Sequence, residues 1–97
     1  VLLGIKTYKQ GTSVRLTSVF YDWEGNPIDP SNVILKIYDG RYTKLEDLPL
    51  TVNVNTGVGE YQYDYTFLTE GEFVYEWYAD INSSPSLERE RIRVIFV

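Results

Sequence analysis

The sequence predicts an all-β domain, an antiparallel β-sandwich of seven to eight strands. Three observations predict it. Apolar residues recur at every second position in run after run, and successive strand side chains point to opposite faces of a sheet. Gly, Asn, Asp and Pro punctuate those runs at intervals of about 8–12 residues, the spacing of short strands in sandwiches and barrels. No stretch of about 12 residues or more carries helical periodicity with a cap. At 97 residues the chain makes one hydrophobic core, so a single domain over 1–97 is expected.

The elements follow in order. A first strand is expected near Leu3–Lys9. Val14, Leu16, Ser18 and Phe20 form the apolar row of the second, and Asp22-Trp23-Glu24-Gly25-Asn26-Pro27 supplies the turn after it. Val33, Leu35 and Ile37 alternate with Ile34, Lys36 and Tyr38. Asp39-Gly40 then reads as a type I′ hairpin turn, whose central residues need positive φ, leading into a short strand near Arg41–Leu45. Leu50, Val52 and Val54 alternate with polar residues, and Asn55–Gly59 carries two glycines into the next run. Tyr61, Tyr63, Tyr65 and Phe67 form one row, and Phe73, Tyr75, Trp77 and Ala79 another, joined through Thr69-Glu70-Gly71. Asp80–Ser86 is the last turn region, and Ile92, Val94 and Phe96 close the chain opposite Arg91, Arg93 and Ile95. Each buried aromatic removes about 150–250 Å² from water, so these rows are core before they are anything else. No disulfide is available to replace that burial, because the chain has no Cys.

Composition narrows function by exclusion. There is no His, which removes the commonest general base and metal ligand, and no Cys, which removes thiolate sites. Fourteen acidic residues against nine basic ones leave a net charge of −5. That sign opposes binding to nucleic-acid phosphates and to anionic lipid, so neither nucleic acid nor membrane is an expected partner. No apolar run approaches the ~20 residues of a membrane span. The opening Val1–Ile5 lacks the length and basic flank of a secretory signal.

Four segments carry a family resemblance. Gly11-Thr12-Ser13-Val14-Arg15-Leu16, followed by Asp22-Trp23-Glu24-Gly25-Asn26-Pro27, resembles the "G-x-x-V-x-L" strand and "D-x-x-G-N-P" turn that open bacterial and phage immunoglobulin-like domains. Gly59-Glu60-Tyr61-Gln62-Tyr63 and Glu70-Gly71-Glu72-Phe73-Val74-Tyr75 resemble the strands on either side of their E–F corner. The resemblance implies an immunoglobulin-like sandwich and, for role, a virion, adhesin or cell-surface module. The chain departs from the antibody type: it has no inter-sheet disulfide, Trp77 falls on the sixth strand expected, and Phe73 stands where a tyrosine corner would be.

Four constellations remain as candidates for chemistry. A serine nucleophile has no histidine, and no S-x-x-K spacing occurs, so an enzyme is not expected. Asp22, Glu24 and Asp29 gather oxygen ligands with Asn26 in one loop, as Ca²⁺-binding sandwich modules do. The same residue types serve any tight turn, and the run lacks EF-hand order, so no metal and no cofactor are expected. Arg89, Arg91 and Arg93 fall on one sheet face, either as a clamp for an anionic group or as a salt-bridge ladder to Glu76 and Asp80 of a neighbouring strand. Tyr21, Tyr38, Tyr42, Tyr78 and Trp23 are left for outer faces and loop tips, as binding residues or as scattered surface aromatics, Trp23 folding back over the sandwich end in the second case.

The expected function is a non-catalytic structural or adhesion module making protein–protein contacts in a larger assembly, in a virion or at a cell surface. Trp23, Tyr42, Tyr78, Arg89, Arg91 and Arg93 are its candidate binding residues. A carbohydrate-binding module, with the outer aromatics as a glycan platform, is the alternative.

Overall fold

A computed structural model describes residues 5–49 and 55–96, the side chains of residues 55 and 56 excepted. Its eight strands are β1 (Lys6–Lys9), β2 (Ser13–Val19), β3 (Ser31–Asp39), β4 (Lys44–Pro49), β5 (Asn55–Gly57), β6 (Glu60–Thr66), β7 (Gly71–Ile81) and β8 (Ser84–Ile95). One sheet has the order β1-β8-β7-β3-β4 and the other β2-β6-β5. All neighbours are antiparallel except β1 and β8. The all-β sandwich expected from the sequence is what forms. The strand expected over Leu50–Val54 and the start of the first strand, through Gly4, lie outside the described residues.

The core sits between the sheets and uses the inward row of each strand. Val14 and Leu16 of β2 and Tyr61 of β6 face Leu35, Ile37, Trp77, Ile92 and Val94 of the larger sheet. Phe67 meets Phe73 at 5.1 Å between ring centres, and Phe20 meets Tyr61 edge-on at 5.8 Å. Of the row expected to be core, Tyr61 and Phe67 are buried, while Tyr63 and Tyr65 are half-buried and pack against the cluster. For Tyr65 the hydroxyl gives the reason: a phenol must keep a polar partner, and it donates to Glu46 Oε1 of β4 at 2.8 Å, across the two sheets.

Two turns differ from expectation. The link between β3 and β4 is not a two-residue type I′ turn, and Gly40 does not take a positive φ. Gly40, Arg41, Tyr42 and Thr43 form the loop, and the left-handed residue is Tyr42 at φ +66°. The Asp39 side chain selects this shape, because its Oδ1 accepts from the amides of Arg41 at 2.8 Å and Thr43 at 2.9 Å. This moves the fourth strand to Lys44–Pro49, past the Arg41–Leu45 expected. Between β7 and β8 the turn is tighter than the Asp80–Ser86 region suggests. Only Asn82 and Ser83 separate the strands, both at positive φ (+51° and +66°).

Candidate functional site

Strand register places the outer face of the larger sheet. On it Lys36, Glu76 and Arg89 lie side by side across β3, β7 and β8, and the next row is Tyr38, Val74 and Arg91. The arginine stripe is a salt-bridge ladder. Arg89 Nε donates to Glu76 Oε1 at 2.6 Å, and Arg91 Nη1 donates to Glu72 Oε1 at 2.7 Å. Arg93 Nη2 reaches Glu72 Oε2 at 3.5 Å. Of the two acids expected to pair with it, Glu76 does so. Asp80 instead accepts from Asn32 Nδ2 and from the Tyr78 hydroxyl, each at 2.9 Å. The bond from Arg91 holds the Glu72 carboxyl below the usual carboxylate range, and the bonds from Asn32 and Tyr78 do the same for Asp80.

Glu76 is the unusual member: it is only 2% exposed although it sits on the outward face. Burying a carboxylate is costly unless it is paired, and its partners are Arg89 and Lys36, whose Nζ lies 3.8 Å away. Lys36 also lies over the Tyr78 ring, 5.0 Å from its centre. Tyr78 thus belongs to the packed surface of this face.

Beside the ladder is a depression of about 290 Å³ bounded by Tyr38, Tyr42, Val74 and Arg89. Val74 floors it and is 5% exposed. Tyr38 is half-buried, which pushes its hydroxyl pKa up. Tyr42 leans in from the β3–β4 loop: Arg91 Nη2 donates to its hydroxyl at 2.9 Å, and the Arg91 guanidinium lies 5.3 Å from the ring centre. The ring remains 69% exposed. Tyr38 is one of the outer aromatics that the sequence leaves for binding or for scattered surface, whereas Val74, Lys36 and Glu72 are not singled out as site residues by sequence. Alternation signals that Tyr38 and Val74 face outward, but only register shows that they are neighbours.

Trp23 lies elsewhere, at the sandwich end formed by the β2–β3 loop and the β7–β8 turn. Its side chain does not fold back; the residue is 88% exposed. With Tyr21, Asp22, Ile81, Ser84, Pro85 and Ser86 it lines a cleft of about 220 Å³. The loop beneath it is firmly built. Asp22 Oδ1 accepts from the amides of Glu24 and Asn26, both at 2.9 Å, and Asp22 N donates to Asn26 O at 2.9 Å. The candidate binding residues therefore divide between two places, Trp23 at the end and Tyr42, Tyr78, Arg89, Arg91 and Arg93 on the sheet face.

The weak metal candidates Asp22, Glu24 and Asp29 are not gathered into a site. One oxygen of Asp22 serves two loop amides, and Asp29 Oδ1 accepts from Gly59 N at 2.7 Å. Among the described residues no three His, Cys, Asp or Glu side chains stand together as a metal ion would need. No protein-family model matches the chain, and no curated protein sequence matches it.

Proposed function

We propose that the chain is an immunoglobulin-like sandwich without a catalytic role, making protein–protein contacts within a larger assembly such as a virion or a bacterial surface layer. The observation that carries this reading is Trp23. A tryptophan side chain in water forgoes about 1.5–3 kcal/mol of burial, yet this one stands clear on a loop whose backbone is closed by its own hydrogen bonds. Tryptophan so presented gives a partner a large contact area at small entropic cost, the property that enriches it at interface hot spots. The strand order, with β1 parallel to β8 at the edge of the larger sheet, supports the immunoglobulin-like reading.

The test places a photo-crosslinking residue at position 23 in the protein's native source and identifies what it captures. Trp23→Ala is expected to abolish that partner's binding with the melting temperature unchanged. Retained binding with lowered stability would assign Trp23 to packing and overturn the proposal. Fluorescence gives an internal control, since the 1%-exposed Trp77 stays shielded from aqueous quenchers while Trp23 does not.

A second reading is favoured by the depression between Tyr38 and Tyr42. Tyr38 and Tyr42 line it together with the apolar Val74, aromatic area of the kind on which a sugar ring stacks, and a glycan array tests this reading. A flat response across common polysaccharides would remove it.

A further inference from the structure

We infer that the depression bounded by Tyr38, Tyr42, Val74 and Arg89 binds an acidic saccharide, a sugar ring bearing a carboxylate, with the ring against the tyrosines and the carboxylate on Arg89. This rests on the saccharide reading above and adds the charge of the ligand.

Three independent features of the site support it. The first is charge. Lys36, Lys44, Arg89, Arg91 and Arg93 lie on or beside this face against Glu72, Glu76, Asp80 and Asp47, a slight excess of cations in a protein whose net charge is −5. Most of the chain's cations are thus collected on one face, and the acidic excess lies elsewhere. The second is the state of Arg89. Its Nε is occupied by Glu76, which fixes the guanidinium plane, while its terminal nitrogens make no hydrogen bond among the described residues. A guanidinium held by one edge presents its other donors in the fork geometry that recognises a carboxylate.

The third is Tyr42. The β2–β3 and β3–β4 loops have the same construction, each opened by an aspartate whose Oδ1 accepts from the amides two and four residues on. The left-handed position is Gly25 at φ +84° in the first loop and Tyr42 at φ +66° in the second. A bulky residue there is strained by roughly 1–2 kcal/mol, and glycine, the residue that relieves the strain, sits two positions earlier at Gly40. Strain of this kind collects at ligand clamps, and here it lays a tyrosine ring beside the depression.

The site also favours a sugar over an acidic peptide. It lies on the face of a sheet, where the main-chain groups of Tyr38, Val74 and Arg91 are turned into the β3–β7–β8 ladders. A docked peptide would find no backbone partners there. A ring with an apolar C–H face, hydroxyls and a carboxylate needs only the side chains present.

The test is calorimetric titration of the chain with a galacturonate trimer, its methyl ester and a hexaglutamate peptide. The free acid is expected to bind about tenfold or more tighter than the ester, the scale of one charge-assisted hydrogen bond. Arg89→Gln is expected to erase that difference, and Tyr42→Gly, which suits its backbone position, to weaken both saccharides. Equal binding of acid and ester would overturn the inference and leave the saccharide reading standing. Failure of both to bind the unmodified chain would overturn the inference, and a flat glycan array beside it would overturn the saccharide reading as well. Hexaglutamate binding as tightly, with the same dependence on Arg89 and Tyr42, would also overturn it, in favour of an acidic peptide.

Discussion

The Asp29 carboxylate accepts the Gly59 amide at 2.7 Å, and this bond ties the β2–β3 loop to the β5–β6 turn. Gly59 returns the connection through its own carbonyl, which accepts from Phe20 N at 2.8 Å, while Ile28 N donates to Phe20 O at 3.1 Å. The end of β2, the β2–β3 loop and the β5–β6 turn are thereby fixed together at the end of the sandwich that carries Trp23. No side chain fits at position 59: a Cβ would lie 2.6 Å from Phe20 O and 2.8 Å from Ile28 O, at a φ of +73°. Both obstacles are backbone and cannot swing away. Gly59→Ala is expected to cost about 3 kcal/mol or more, read as a lowered denaturation midpoint in urea, whereas Gly25→Ala, with open space around it, costs only about 1–2 kcal/mol of backbone strain.

Tyr42→Gly is expected to leave stability within about 1 kcal/mol of the unmodified chain. Relief of strain at φ +66° contributes roughly 1–2 kcal/mol. Against it stand the glycine entropy cost of about 0.5–1 kcal/mol and the lost Arg91 contact, about 0.5–1 kcal/mol at an exposed site. A loss above about 2 kcal/mol in thermal or urea unfolding would make the ring a packing residue.

Ser83→Gly is expected to stabilise. Asn82 and Ser83 form a two-residue hairpin turn with both residues left-handed, and Asn-Gly is the pair that such a turn prefers. The gain is about 0.5–1 kcal/mol after the entropy of glycine is deducted. A rise of several degrees in melting temperature checks it.

Alkaline pH is expected to weaken the fold from about pH 10 upward. Burial, with a bond to Glu46, pushes the Tyr65 hydroxyl up to about 12, and burial with a bond to Glu90 pushes Tyr75 higher still. A phenol whose pKa is raised by folding stabilises fully below its unfolded value, near 10, and that contribution is lost as pH rises through the folded value. Tyrosinate absorbance at high pH is therefore expected to show Tyr65 and Tyr75 among its latest-titrating groups, and Tyr65→Phe to remove one of these. In acid the sign reverses. Arg15 lowers the Asp64 carboxyl and Arg91 that of Glu72, so their contributions hold above the ordinary carboxylate values and are lost as pH falls through the lowered ones.

The sequence by itself determined the fold class, most strand positions and the inward rows, because side-chain alternation is a local property of an extended chain. Val14, Leu16, Leu35, Ile37, Trp77, Ile92 and Val94 all lie where period two puts them. It also determined that Arg89, Arg91 and Arg93 share a face. Tertiary structure decided which neighbours that face has. Glu72 as the partner of two arginines, Glu76 buried on the outward side, and Tyr38, Val74 and Arg91 side by side all depend on the register of β3, β7 and β8. Register is set by the packing of whole rows and by turn geometry, and no short stretch of sequence contains it. The β3–β4 loop shows the same limit on a smaller scale. Asp39-Gly40 offers a glycine for the left-handed position, but the side-chain bonds of Asp39 to the amides of Arg41 and Thr43 shift that position to Tyr42, and with it the aromatic wall of the site.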